Sequence, residues 1–294
     1  MAKWNSNPSG RIAYVNGRYL PHAQAGVHIE DRGLQLGDAI YEVTNVLDRQ
    51  PVDEEAHLDR MERSLREIGI AMPMGRAALK LVMREMIARN RIANGLLYLQ
   101  VTRGAARRDH VPPKSNLRPT LILTMRTQDL VGLKARMEKG IAVASAPDLR
   151  WKRCDIKTVQ LLPNLLAKQM AKAKGAFETW LVDDEGFVTE GGSTNAWIVD
   201  CEGNVVTRDL SNAILPGVTR RIILEAARDT GLGVVERKFT VAEAQKAQEA
   251  FLSSATGAAV PVVAIDGKRI GEGKPGPVTR RIHELYARKA GIKS

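Results

Sequence analysis

Arg153-Cys154-Asp155-Ile156-Lys157 opens a stretch that runs through Asn164 and a lysine-rich segment to Thr189-Glu190-Gly191-Gly192-Ser193-Thr194-Asn195. Lys157 stands between Ile156 and Val159, and Glu190 stands in a Gly/Ser-rich turn. An amine in apolar surroundings can act as a nucleophile once its proton is lost. A carboxylate in a tight turn can hold a proton or cap backbone amides. Each residue also has a plain reading. Lys157 fits a strand lysine that snorkels to water, and Glu190 fits a turn cap. Leu161 to Gly175 has helical spacing between the two. Hairpins turning at Asp184-Glu185-Gly186 and Cys201-Glu202-Gly203-Asn204 follow. Helices and antiparallel hairpins in one stretch mean an α+β protein rather than a doubly wound parallel sheet.

The rest of the chain fits that class. Asn16-Gly17 supplies the positive φ angles of a tight turn inside Ala13 to Leu20. Asp38 to Leu47 is rich in β-formers. Leu58, Met61, Leu65 and Ile68 recur at helical spacing from Glu54 until Gly69. Arg76 to Arg89 repeats the pattern with Leu79, Val82, Met83, Met86 and Ile87. Leu96 to Thr102 and Thr120 to Met125 read as strands, as does Ile141 to Ala144. Thr219 to Thr230 is a helix closed by Gly231, Val260 to Ile270 a hairpin turning at Asp266-Gly267, and Arg280 to Ala290 a closing helix. Thr127 to Gly140 interrupts the pattern. The expected division is a small N-terminal α+β domain over 1–127, a linker over 128–140 and a larger C-terminal domain over 141–294.

The 294 residues carry a net charge of +11, with 44% hydrophobic and 4% aromatic residues, so aliphatic side chains must fill the core. The excess of basic residues invites a nucleic-acid-binding reading. Acidic residues interrupt it, as in Glu54-Glu55-Ala56-His57-Leu58-Asp59-Arg60-Met61-Glu62-Arg63. The densest basic stretch, Lys168 to Lys174, falls on a predicted helix, so solvated faces and anionic small substrates account for the charge. Two cysteines, Cys154 and Cys201, form no CxxC pair and fit a reducing cytoplasm. The N-terminus lacks an apolar signal core, and no apolar run approaches a membrane span. No Gly-rich dinucleotide fingerprint or Walker loop is present. His22, His28, His57 and His283 lack metal-ligand spacing, so no metal is expected.

The Cys-Asp-Ile-Lys and Thr-Glu-Gly-x-Ser-x-Asn elements resemble those of the class IV aminotransferases. Within that family the wording is most similar to the D-amino acid aminotransferases, over about Tyr14 to Arg288. The resemblance implies a two-domain fold-type IV enzyme with pyridoxal 5'-phosphate in the interdomain cleft, and a homodimer whose interface residues help shape the substrate site. It also implies roles. Lys157 forms the Schiff base and acts as general base and acid, and Glu190 pairs with the pyridine nitrogen. Val218 and Thr219 open a helix whose N-terminal amides and hydroxyl cradle the phosphate. Ser254 or Thr256 substitutes for the family threonine that is missing at Ala255, Arg60 binds the phosphate from the other side, and Leu215 packs on the ring. Tyr41, Arg108 and His110 match the trap for the substrate α-carboxylate, where Arg gives a charge-assisted contact and Tyr and His give directed donors. Without the resemblance, the Leu215-to-Thr219 segment is equally a helix cap, and Arg103, Arg107 and Arg108 are equally a solvated basic loop.

The implied reaction moves an amino group between a D-amino acid such as D-alanine and a 2-oxo acid, 2-oxoglutarate or pyruvate. Rivals within the family are an (R)-selective amine transaminase, a branched-chain L-amino acid aminotransferase and an aminodeoxychorismate lyase. The sequence departs from the family pattern at Ala255, where a phosphate-binding threonine is frequent. Leu34 and Leu36 stand where relatives carry aromatics.

Overall fold

The computed structural model describes residues 10–113 and 117–291. The chain divides into two units. The first holds residues up to 128 together with 156–160, and the second holds 129–155 and everything from 161 onward.

In the first unit, β1 (Ile12–Val15) and β2 (Arg18–Pro21) form a hairpin. Asn16 and Gly17 turn it with φ of 47° and 91°, the two positive values a tight hairpin turn requires. Next come α1 (Arg32–Leu36), β3 (Ala39–Leu47), β4 (Gln50–Pro51), α2 (Glu54–Glu67), α3 (Arg76–Asn90), β5 (Gly95–Thr102) and β6 (Thr120–Thr127). The strands build one antiparallel sheet in the order β2-β1-β6-β5-β3-β4.

Strand alternation gives this sheet two different faces. Ile40, Val46, Leu97, Leu99, Val101, Leu121, Leu123 and Met125 point to one face. They are buried with Leu58, Met61 and Leu65 of α2 and Leu79, Met83, Met86 and Ile87 of α3. Each such side chain contributes about 1.5–3 kcal/mol of burial. The other face carries Tyr41, Val43, Tyr98, Gln100, Ile122 and Thr124, all half-buried. Residues 156–160 join this unit through backbone pairing. Tyr41 N–H donates to the Lys157 carbonyl at 3.0 Å, and Val159 N–H donates to that of Ala39 at 3.2 Å. Ile156 is buried in the same core.

The second unit begins with α4 (Leu130–Lys139), β7 (Ile141–Pro147), α5 (Leu162–Ala173), β8 (Glu178–Val182), β9 (Val188–Gly191), β10 (Asn195–Val199) and β11 (Val205–Thr207). It continues with α6 (Val218–Asp229), β12 (Val234–Glu236), α7 (Val241–Ala244), β13 (Glu249–Ser254), β14 (Ala258–Ile265), β15 (Lys268–Arg269) and α8 (Pro277–Lys289). The strand order is β12-β11-β10-β13-β14-β7-β8-β9, with β15 on β14. Three pairs are parallel, β11–β12, β14–β7 and β7–β8, so the sheet is mixed. Its core is built on Trp180, Phe239, Ile198, Leu252 and Val262. Buried Glu249 caps α8 by accepting from the N–H groups of Val278 and Thr279, each at 2.8 Å.

Two features of the second unit differ from the sequence expectation. Residues 128–140, expected as a linker, contain α4. The Asp129 carboxylate caps it by accepting from Gly132 N–H, and Gly140 ends it with φ 72°. Glu190 lies in strand β9, not in the turn. Residues 188–191 are all buried and pair with β8, and the glycine turn begins only after them.

Candidate active site

The first unit places Lys157 against Tyr41. Its Nζ lies 4.1 Å from the centre of the Tyr41 ring, a cation–π distance that holds the amine on one side of the strand. The backbone is fixed as well, because Lys157 N–H donates to Ser64 Oγ at 3.4 Å. Tyr98 stacks on Tyr41 with ring centres 5.8 Å apart and donates its hydroxyl to Gln100 at 2.7 Å. Burial pushes the Tyr98 phenol up to about 12. Tyr41 and Tyr98 belong to neighbouring strands and to the open sheet face.

Arg60 lies on α2 and points at β3. Its Nε and Nη2 donate to the two carboxylate oxygens of Glu42 at 2.8 and 2.7 Å. His57 Nδ1 sits 2.8 Å from Glu42 Oε2. Burial alone would raise Glu42, but Arg60 and His57 hold it down at about 2. Bidentate pairing fixes the guanidinium plane. Glu42 and His57 had no role in the sequence reading. Their pairing depends on β3 and α2 packing together, which no local spacing announces.

Arg108 and His110 are exposed on the loop after β5. Buried Arg32 anchors that loop, donating to the carbonyls of Asp109 at 2.7 Å and His110 at 3.1 Å. Asp38 in turn holds Arg32 and Arg103 at 2.9 and 2.7 Å. Among the described residues, no hydrogen bond or ring contact joins Arg108 or His110 to Tyr41 or Lys157. The structure fixes the loop's backbone but does not bring these four side chains together.

The second unit surrounds Glu190 with donors. Arg150 Nη1 pairs with Oε1, while Asn195 Nδ2 and Leu215 N–H donate to Oε2 at 3.0 and 3.1 Å. Arg150 also binds Asp148 at 2.7 Å and the Ala213 carbonyl at 3.0 Å. Burial raises the Glu190 carboxyl above the ordinary range, and Arg150 and the Leu215 N–H oppose it. Burial likewise raises Asp148, but Arg150 and Thr189 bring it below its usual value. Arg150 and Asp148 were missed from sequence. The only local signal is Asp148-x-Arg150, because β8–β9 pairing supplies Glu190.

Leu215 reaches Glu190 through its backbone. It leads by Gly217 into α6, whose first residues are Val218 and Thr219. A Cβ at position 217 would run into Asn195 Oδ1, so glycine keeps the helix start beside the Glu190 cluster. No side chain caps α6, and Thr219 Oγ1 is buried without a hydrogen-bond partner. An orphaned hydroxyl beside free amides at a helix N-terminus fits an anionic group. Ser254 Oγ lies 3.2 Å from Thr256 Oγ1 after β13. The described residues contain no metal-ligand cluster and no helix long and apolar enough to cross a membrane.

Residues 39–265 match the family described as amino-transferase class IV. A D-alanine aminotransferase of Bacillus licheniformis is 38% identical over 267 residues, covering 91% of this chain and 93% of that one. Another from Staphylococcus haemolyticus is 37% identical over 273 residues, covering 93% and 95%. Among solved structures, the branched-chain amino acid aminotransferase of Escherichia coli superposes with a TM-score of 0.87 at 24% identity, covering 97% and 96%. A branched-chain amino acid aminotransferase from T.th., solved with pyridoxamine 5'-phosphate, gives 0.88 at 24%, covering 97% and 95%. The structural likenesses establish the fold.

Proposed function

The chain belongs to the class IV aminotransferase family, and on that premise we propose that it transfers amino groups from D-amino acids, D-alanine among them, to 2-oxo acids with pyridoxal 5'-phosphate as cofactor. Its substrate class follows the D-alanine aminotransferases it is similar to. The observation that carries the cofactor assignment is the buried Glu190 cluster beside an orphaned Thr219 hydroxyl.

When bound, pyridoxal 5'-phosphate supplies an electron sink for charge that develops at the substrate Cα. The chain's residues supply the rest. Lys157 Nζ carries the cofactor, takes the Cα proton as general base and gives a proton back as general acid. The Tyr41 ring fixes where that amine points. Glu190 would accept a hydrogen bond from the ring nitrogen and keep that nitrogen protonated, and Arg150 opposes the burial that favours the neutral acid of Glu190. The N–H groups of Val218 and Thr219, the Thr219 hydroxyl, Ser254 and the Glu42-fixed Arg60 are the phosphate partners. Leu215 would pack on the ring. Ala255 offers only its backbone, so Ser254 and Thr256 carry the hydroxyl contacts there. Tyr41, Arg108 and His110, which stand apart in this structure, would have to converge on the substrate carboxylate. The acting form is a homodimer in the cytoplasm, and both cysteines remaining free thiols suits that compartment.

The test is an absorbance spectrum of the purified protein with D-alanine, L-leucine or (R)-1-phenylethylamine. D-Alanine should bleach the cofactor band and yield pyruvate. Preference for L-leucine over every D-amino acid overturns the stereochemical assignment. Lys157→Ala should abolish turnover, and borohydride reduction of the wild type should label Lys157. A label on another lysine sinks that role.

A further inference from the structure

The second unit contains a cavity of about 230 Å³ whose walls include Arg136, Lys168, Phe177, Glu178, Thr194 and Thr256. Its charges do not cancel. The Glu178 side chain is only 1% exposed. Its Oε2 accepts from Lys168 Nζ and Ser193 Oγ, both at 2.9 Å, and its Oε1 accepts from Thr179 N–H at 2.9 Å. Lys168 is therefore neutralised inside the wall.

Arg136 is not. Its guanidinium lies over the Phe177 ring, 5.1 Å from the centre, and it has no hydrogen-bond or carboxylate partner among the described residues. Stacking covers a guanidinium's face and leaves its N–H edge available for a planar, bidentate acceptor. Thr194 Oγ1 in the same cavity is buried and unpaired. One guanidinium edge without a hydrogen bond and one orphaned hydroxyl match one carboxylate, with the Asp129 carboxylate beside Arg136 Nη1 at Gly132 as a neighbour rather than a bonded partner. The wall residues also locate the cavity. Ser193 and Thr194 fall between Glu190 and Asn195, which bond to each other. Ser254, a proposed phosphate partner, also lines the cavity, with Thr256.

We propose that this cavity receives the distal carboxylate of a dicarboxylic substrate, a 2-oxo acid or amino acid of the 2-oxoglutarate class, with Arg136 as its charge partner. The assignment rests on the transamination reading and chooses between its two acceptors. Arg136 acts on specificity and takes no part in proton transfer.

The experiment uses the holoenzyme with D-2-aminobutyrate as donor and either 2-oxoglutarate or pyruvate as acceptor. Loss of one charged hydrogen-bond partner should raise the KM for 2-oxoglutarate about 10–100-fold in Arg136→Met. The KM for pyruvate, which has no distal carboxylate, should change far less, and Arg136→Lys should recover part of the loss. Equal effects on both acceptors, or none, overturn the proposal. So does loss of the cofactor band in Arg136→Met, which would give the cavity to the cofactor phosphate. Calorimetry adds a readout free of turnover. Wild type should bind glutarate more tightly than butyrate, and Arg136→Met should remove the difference. Glutarate inhibition that is not competitive with 2-oxoglutarate would mark a separate effector site and overturn the substrate assignment. If no donor and acceptor pair turns over, the reaction reading fails by itself, and the glutarate titration still decides whether Arg136 holds a carboxylate.

Discussion

Arg150 does at Glu190 what a single side chain must do to keep a buried carboxylate useful. Burial pushes Glu190 toward the neutral acid, and the guanidinium is the largest influence against it. In Arg150→Met nothing comparable opposes burial, so the carboxyl titrates higher and its ionised form appears only at higher pH. The acidic limb of the kcat profile should therefore move to higher pH, with turnover reduced below it. A variant that is merely less stable, with the limb unmoved, would give Arg150 a structural role only. The companion change Glu190→Gln should leave the fold intact and lower turnover across the whole profile. The sequence made Lys157 and Glu190 legible because their neighbours spell a family pattern. Arg150, Asp148, Glu42 and His57 were illegible because each is defined by a partner on another element. Glu190 itself looked like a turn residue because Gly191-Gly192 follows it, whereas its own position is a buried strand.

Glu42 joins two elements, β3 and α2, through Arg60 and His57. Its carboxyl sits at about 2 against an ordinary 4.5, which corresponds to about 3 kcal/mol of stability at neutral pH. A depressed carboxylate stabilises the fold above its unfolded value. That contribution is lost as pH falls from about 4.5 toward 2. Hydrogen exchange of β3 should show Glu42→Gln far less protected than wild type at pH 7, with the gap narrowing by pH 3. A gap independent of pH would mean packing rather than charge sets the effect. At the start of α6, Thr219→Val removes an orphaned buried hydroxyl, a group whose unmet hydrogen bond costs about 1–3 kcal/mol. The cofactor-free protein should melt no lower than wild type, and its affinity for pyridoxal 5'-phosphate should fall. Unchanged affinity would exclude Thr219 from the phosphate site. Most elements were legible from turn chemistry and periodicity, as with Asn16-Gly17 and the Leu58-to-Leu65 stripe. Helix α4 was not, because it buries no residue and contains Gly132. Strand β13 was not among the expected elements.

Over the whole molecule the net charge of +11 is an excess that no internal pairing removes, yet many of the basic residues stand beside acids. Arg76 reaches Glu55, Asp59 and Glu62, Arg84 reaches Glu54, and Lys289 reaches Asp229. On α2 and α3 acidic partners thus interleave with these basic residues. Helix α5 is different, since Leu162, Leu165 and Leu166 are 67%, 53% and 54% exposed. Three large apolar side chains on one short helix suit a second copy of the chain. Light scattering should find a dimer that becomes a monomer in Leu165→Glu/Leu166→Glu; a wild-type monomer would refute the homodimer. The assignment of residues 156–160 to the first unit also fixes an order of events during synthesis. The ribosome completes residues 1–128 long before it makes Ile156, which fills the core of that unit, and Thr158, which bridges Ile40. The nascent first unit must wait with an open seam until the chain beyond 160 has left the exit tunnel, and fragments that end before residue 156 lack the segment that carries Lys157.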